Sequence, residues 1–135
     1  MAGYSQTPLA KKLGIKDDFI IKLIDEPSYY FNLFTDFPNH TNYSENESKH
    51  SIDFIHLFCT TFKDLKNNAP LLKSQLKKDG LLWVSWPKGS SGIITDLKRE
   101  LIREYMLDLG LVDVKVYAVD EKWSGLKFVY RVKDR

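Results

Sequence analysis

The stretch IDFIHLFCTTFKDLKNNAPLLKSQLKKDGLLWVSW, residues 52–86, decides the fold of this chain. It begins with the largely apolar run Ile52 to Phe58, continues through Thr61-x-x-Asp64, a capping pattern that opens a helix, and ends with the run Leu81 to Trp86. Two apolar strands joined by a helix are typical of a parallel α/β sheet. Because Leu81 to Trp86 is almost wholly apolar, as a strand covered on both faces should be, we place it at the sheet centre.

The helix within this stretch carries Leu65, Leu72 and Leu76 on its apolar positions. Pro70 predicts a kink or a split in the helix, because proline lacks a backbone N–H and clashes with the preceding turn. The run Lys77-Lys78-Asp79-Gly80 predicts its end, since cations suit the negative end of a helix and glycine adopts positive φ.

On the N-terminal side, Phe19 to Ile24 predicts a strand, and Pro27 suits the first turn of a helix that reaches about Phe34. Lys22 indicates that this strand lies near an edge of the sheet, where lysine discourages pairing with other chains. Residues 36–51 are mostly polar and show neither helical nor strand periodicity of apolar residues. Because this is long for a loop within a domain, we expect a short strand near Thr41 to Ser44.

On the C-terminal side, a polar loop, Pro87 to Gly92, precedes a helix that Thr95 caps and that Gly110 ends after about Leu109. Two segments in which apolar and polar residues alternate follow and are predicted as strands, Val112 to Val119 and Leu126 to Val132. Six residues join them, too few for a crossover helix, so the strands form an antiparallel hairpin. The sequence therefore predicts one three-layer α/β domain over residues 1–135, with a mostly parallel sheet of five to six strands.

The composition excludes several classes of protein. The chain has 135 residues, of which 43% are apolar, and carries 20 Lys+Arg against 18 Asp+Glu with a single Cys. This is enough for one core, and no run of about 20 apolar residues spans a membrane. The dispersed net charge of +2 argues against a nucleic-acid or membrane partner. The opening MAGYSQTPLAKKLG lacks the apolar core of a signal peptide, so we expect a cytoplasmic protein.

Ligands of open α/β sheets bind outside the carboxyl ends of the parallel strands, and this edge supplies the candidate site. The loop Lys88 to Gly92 with Thr95 combines a cation, glycines, hydroxyls and a helix N-terminus, which are the components of a site for a small anionic ligand. It lacks the spacing of a nucleoside-triphosphate loop. The candidate ligand-binding residues are Asp25, Trp86, Lys88, Ser90, Ser91, Gly92, Thr95, Asp120 and Trp123.

Each candidate also has a purely structural interpretation. The loop after Lys88 is either an anion site or a surface loop with an ordinary N-cap. Trp86 and Trp123 either stack on a planar ligand or cover the end of the sheet. Asp120 either orients Lys88 or a ligand hydroxyl, or satisfies backbone donors of the hairpin turn, and Asp25 has a capping role that needs no ligand.

Cys59 and His56 do not predict a catalytic pair. Cys59 lies near a helix N-terminus, which favours a reactive thiolate, but His56 is three residues away on a strand and its side chain points to the opposite face. We therefore interpret Cys59 as a small packed residue and His56 as a hydrogen-bonded interior histidine. His40 and His50 lack ligand spacing, so no metal site is predicted.

Several segments resemble known proteins. Asp53-Phe54-Ile55-His56-Leu57 is similar to the fourth-strand segment of class I S-adenosylmethionine-dependent methyltransferases, and LKKDGLL (76–82) is similar to their LKPGG segment. The runs GYSQTPLAKKLGIK (3–16), LLWVSWPKGSSG (81–92) and GLVDVKVYAVDEKWSGLKFV (110–129) resemble a family of short bacterial proteins of unknown function. The resemblance implies a methyltransferase-like, Rossmann-like topology with its ligand site at the carboxyl edge.

The sequence departs from the methyltransferase pattern where the cofactor would lie. Those enzymes have a glycine-rich turn after the first strand, but here residues 24–29 read IDEPSY, and no glycine occurs from Lys16 through Asp79. The acidic residue that binds ribose after their second strand also has no clear counterpart. The sequence therefore predicts a non-catalytic, methyltransferase-like binding or regulatory domain without a cofactor. The alternatives are an S-adenosylmethionine-dependent methyltransferase or other small enzyme with an atypical cofactor site, and a structural subunit.

Overall fold

A computed structural model describes residues 7–43 and 48–135. A six-stranded sheet runs through these residues in the order β2-β1-β3-β4-β6-β5. The strands are β1 (Ile20–Ile24), β2 (Asn42–Tyr43), β3 (Ile52–Phe58), β4 (Leu76–Pro87), β5 (Leu111–Ala118) and β6 (Trp123–Tyr130). The α-helices are α1 (Leu9–Leu13), α2 (Phe62–Gln75) and α3 (Arg99–Asp108). The first four strands pair in parallel and β5 and β6 form the antiparallel hairpin, so the predicted fold class is confirmed.

Successive side chains of β3 and β4 point to opposite faces of the sheet and so contribute to two separate apolar layers. Leu57 and Val84 lie in the core under α2 and α3, together with Ile102 of α3. Phe54 and Trp83 face the other side, where they pack with α1. Both strands are covered on both faces, and this is the three-layer arrangement that the sequence predicts.

The central strand is longer than the sequence indicates. Leu81 to Trp86 was predicted, and β4 extends from Leu76 to Pro87. The prediction that Lys77 to Gly80 ends the helix is wrong, since α2 ends at Gln75 and these residues belong to β4. Lys77 Nζ forms an ion pair of 2.9 Å with Asp53 Oδ1 of the neighbouring strand. Gly80 is needed for space, because a Cβ there would lie 3.1 Å from the Asp53 carbonyl oxygen.

Helix α2 runs through Pro70 as one element, so the predicted split is wrong. The Thr61 cap is confirmed, since Thr61 Oγ1 accepts from the Asp64 N–H at 3.1 Å. Pro70 and Lys66, four residues before it, are both exposed.

Two other predicted helices differ from the structure. Only Tyr30–Leu33 of the segment 27–34 is helical, as a 3₁₀ turn. Helix α3 begins at Arg99, so Thr95 is not its cap. The predicted end is confirmed, since Gly110 follows α3 with a φ of 102°.

The edge of the sheet agrees with the sequence. The short strand expected near Thr41 to Ser44 is present as β2, while Ser44 lies outside the described residues. β2 pairs only with Ile20 and Ile21, which leaves Lys22 near the edge. In the part of the chain that is described, no helix has the length and apolar character needed to cross a bilayer.

Candidate functional site

The carboxyl ends of β1, β3 and β4 lie at one edge of the sheet, and the turn between β5 and β6 returns to it. Pro87 at the end of β4 pairs with Trp123 at the start of β6. The backbone N–H of Lys88 donates to the Lys122 carbonyl at 2.8 Å. The topology therefore brings the loop after β4 and the hairpin turn together, with Asp25 after β1 at the same edge.

The loop after β4 is ordered by its own hydrogen bonds. Residues Gly89–Ser91 form a 3₁₀ turn that Gly92 ends with a φ of 79°. Ser91 Oγ accepts from the Ile93 N–H at 3.1 Å, so this hydroxyl is partly used within the loop. The Lys88 ammonium and the exposed Ser90 hydroxyl have no hydrogen bond or ion pair to any residue within 7–43 and 48–135. The Lys88 ammonium and the Ser90 hydroxyl are thus available to a ligand.

Thr95 and its neighbour Asp96 hold the loop against α2. Thr95 Oγ1 donates to the Thr60 carbonyl at 2.6 Å and accepts from the Leu97 N–H at 3.0 Å. Asp96 Oδ1 accepts from the Phe62 N–H at 2.8 Å and so caps the first turn of α2. Asp96 and Thr61 thus both cap the N-terminus of α2.

Both tryptophans are buried, on opposite faces of the sheet. Trp86 packs in the core under α2 and α3, where Cys59 and Leu97 also lie. Trp123 packs edge-to-face on Phe58, with ring centroids 5.1 Å apart. These positions agree with the covering role and leave neither ring standing free at the edge.

Asp120 organises the hairpin turn. Its Oδ1 accepts from the backbone N–H groups of Lys122 and Trp123, each at 2.8 Å. This is the backbone role that the sequence offers as one of two alternatives. Asp25, with a φ of 56°, is exposed and caps no helix.

A cavity of about 300 Å³ beside this turn adds residues that the sequence did not predict. Its lining comprises Tyr29, Leu33, Asp120, Glu121 and Lys122. Burial and the Asp120 carboxylate raise the pKa of Tyr29. The enclosed Tyr29 hydroxyl interacts with Asp120 and Trp123, although neither contact has strict hydrogen-bond geometry. Tyr29 directly precedes the 3₁₀ turn Tyr30–Leu33, and so no helical or strand periodicity in the sequence indicates its position.

A buried polar chain lies below the edge and ties three segments together. His56 Nδ1 contacts the Tyr30 hydroxyl at 2.9 Å, and His56 Nε2 contacts Ser85 Oγ at 2.7 Å. The histidine ring also stacks on Phe58 at 4.2 Å. Complete burial lowers the pKa of His56 to about 3, so the ring is neutral, and burial raises the pKa of Tyr30. The prediction of a hydrogen-bonded interior histidine is confirmed.

Cys59 is a packed residue, as predicted. Its side chain is buried under α2 and α3, and burial raises the pKa of the thiol to about 12, with a further contribution from the carboxylates of Asp64, Asp25 and Asp96. A thiol with this pKa is not a nucleophile at neutral pH. Among residues 7–43 and 48–135, no group of three His, Cys, Asp or Glu side chains could hold a metal ion.

We expect the neutral His56 to make stability depend on pH. An unfolded histidine binds a proton below a pH of about 6.5, whereas folded His56 stays neutral to a pH of about 3. The unfolded state therefore binds more protons, and the free energy of unfolding falls by about 2 kcal/mol between pH 7.5 and pH 5 on this account. Urea unfolding across this range should show the loss in wild type and in His40→Gln. An equal slope in His56→Gln would contradict the assignment.

Cys59 should react slowly with a thiol reagent while the protein is folded. A pKa of about 12 leaves little thiolate at pH 8, and the buried sulfur is inaccessible. We expect labelling by 5,5′-dithiobis(2-nitrobenzoate) to be at least roughly a hundredfold slower in buffer than in denaturant. Cys59→Ser supplies the blank, and rapid labelling of the folded protein would overturn the packed role.

Comparison with known proteins identifies the fold. No family model and no curated protein matches the sequence. An S-adenosylmethionine-dependent methyltransferase from Aquifex aeolicus has a similar structure, with a TM-score of 0.61 and 14% identity over 89% of this chain and 86% of that one. The magnesium protoporphyrin IX methyltransferase from Synechocystis PCC 6803, solved with bound S-adenosylhomocysteine, gives a TM-score of 0.60 and 10% identity over 90% and 78%.

A ribosomal protein L11 methylase from Lactobacillus delbrueckii subsp. bulgaricus is similar too, with a TM-score of 0.59 and 12% identity over 91% of this chain and 75% of that one. At such low identity the similarity concerns the fold alone. The resemblance to short bacterial proteins stays a prediction. The chain has the Rossmann-like fold of the S-adenosylmethionine-dependent methyltransferases.

Proposed function

We propose that this protein is a non-catalytic ligand-binding domain of the methyltransferase fold, whose site for a small anionic ligand lies beside Lys88. The observation that carries this proposal is the closure of the sheet edge after β1. Tyr30, Phe58, Val119 and Trp123 form one buried cluster there. Lys88 lies beside the hairpin turn, since its backbone N–H donates to the Lys122 carbonyl.

Charge at this edge supports the same assignment. Asp96 and Asp120 both accept backbone hydrogen bonds, which partly satisfy their carboxylates. The Lys88 ammonium has no such partner among the described residues, and Ser90 adds a free hydroxyl next to it. A lysine and a hydroxyl suit a carboxylate or phosphate group, because the ammonium supplies charge and the hydroxyl supplies a hydrogen bond.

S-adenosylmethionine does not fit these residues in its ordinary mode. In the methyltransferase fold that mode requires bare backbone after the first strand, and here Asp25, Glu26 and Pro27 occupy the turn. The segment that follows inserts Tyr30 into the core, where it is bonded to His56. The edge after β1 therefore presents side chains where the cofactor would need space.

A second candidate is an S-adenosylmethionine-dependent methyltransferase, or another small enzyme, with an atypical cofactor site that uses Asp25, Lys88 and Asp120. The solved neighbours favour this candidate, since they are methyltransferases and one holds S-adenosylhomocysteine. The cavity beside Asp120, at about 300 Å³, supports it as a place for part of such a ligand.

Ligand titration separates the two candidates. We expect a panel of carboxylate and phosphate metabolites to yield at least one ligand in a thermal-shift screen, and Lys88→Ala to weaken its calorimetric affinity by about tenfold or more. Lys63→Ala is the control, because it removes an exposed lysine of α2. An equal affinity in all three proteins would contradict a site at Lys88.

The same calorimetry with S-adenosylmethionine and S-adenosylhomocysteine tests the second candidate. Saturable binding of either compound at submillimolar concentration would replace the non-catalytic assignment with the methyltransferase one. The absence of binding at millimolar ligand would eliminate the methyltransferase.

A further inference from the structure

A second cavity lies at the opposite edge of the sheet, where β3 and β4 begin and β6 ends. It has a volume of about 610 Å³, which is within the usual range for small-molecule sites. The charged and titratable side chains that line it are Lys49, His50, Lys73, Lys78, Tyr130 and Asp134. We call this cavity the basic cleft, because three lysines face it against one acid among the described residues.

Neutral partners hold two of the lysines in place. Lys73 Nζ donates to the Leu109 carbonyl at the end of α3, and Lys78 Nζ lies 4.5 Å from the centroid of the Tyr130 ring. A second contact joins Lys73 Nζ to the same ring at 5.9 Å. A carbonyl group and an aromatic ring position an ammonium group without cancelling its formal charge. The cleft is thus a preorganised cluster of cations.

His50 adds a nitrogen with a defined tautomer. Its Nδ1 lies 3.0 Å from the Leu76 carbonyl, which only accepts, so Nδ1 carries the hydrogen. The backbone N–H of His50 donates to the Ser74 carbonyl at 2.9 Å and fixes the residue against the end of α2. Nε2 has no partner in the part of the chain that is described, and it becomes a second donor when the ring is protonated.

Two basic side chains outside the cleft are paired with acids, unlike the lysines of the cleft. Lys77 pairs with Asp53 at 2.9 Å, and Arg103 pairs with Asp113 at 3.1 Å. A third cavity, lined partly by Arg103 and Lys115, contains Asp113 and Glu100 on its own wall. Lys49, Lys73 and Lys78 form no ion pair with any residue that the structure describes.

We propose that the basic cleft binds a small soluble anion that carries two or more phosphate groups. Lysine ammonium groups are compact point charges that bind phosphate oxygens through three donors each. Three of them around one cavity match the three or four negative charges of a diphosphate better than the single charge of a carboxylate. This site is separate from the one at Lys88, since the two lie at opposite edges of the sheet.

Calorimetry with pyrophosphate at low ionic strength tests the proposal. We expect saturable binding to wild type, and a loss of affinity of about tenfold or more in the double variant Lys49→Gln, Lys78→Gln, whose side chains keep their apolar stems. The matched control Lys63→Gln, Lys98→Gln removes two exposed lysines elsewhere and should bind within about twofold of wild type. Added sodium chloride should weaken binding in both proteins that retain it.

The nuclear magnetic resonance signals of the histidine side chains locate bound pyrophosphate in the wild-type protein. The chain has three histidines, and pyrophosphate should shift the imidazole signals of His50 while those of His40 and the buried His56 stay in place. No binding to wild type, an equal loss in both double variants, or a shift confined to the other histidines would overturn the proposal. Loss of pyrophosphate binding in Lys88→Ala alone would also overturn it and would assign the phosphate to the carboxyl edge.

Discussion

The hydrogen-bond chain from Tyr30 through His56 to Ser85 is the constraint on which the rest of the structure depends. It joins the segment after β1 to the two central strands inside an apolar core, with contacts of 2.9 and 2.7 Å. A buried imidazole without both partners would leave a polar nitrogen unsatisfied, which costs roughly 1–3 kcal/mol. The chain therefore fixes the position of the 3₁₀ turn and, through Tyr30, closes the edge of the sheet after β1.

In this chain an aromatic cluster of Tyr30, Phe58 and Trp123 is buried after β1. That cluster lies at the carboxyl edge of a sheet whose fold is shared with methyltransferases. A cavity of about 300 Å³ lies between the segment after β1 and the hairpin turn, beside Asp120. The fold of this chain therefore does not by itself identify its ligand site.

The distribution of charge shows why a net value of +2 says little about partners. Around Cys59 at the carboxyl edge, Asp25, Asp64 and Asp96 are close enough to raise the thiol pKa. At the opposite edge, three lysines face one cavity. Lys49 is far from Lys73 and Lys78 in the sequence, and only folding brings these lysines around one cavity.

The sequence by itself determined the presence of the main strands, the mostly parallel sheet with its C-terminal hairpin and the interior place of His56, because apolar runs, a Thr61 cap and a short link are local features. Tertiary structure decided the rest. Thr95 bonds to Thr60, Lys77 of β4 forms an ion pair with Asp53 of β3, and the Tyr29 cavity and the basic cleft are lined by residues from distant segments. The physical reason is that hydrogen bonds and charges between residues far apart in sequence leave no period in the chain that forms them.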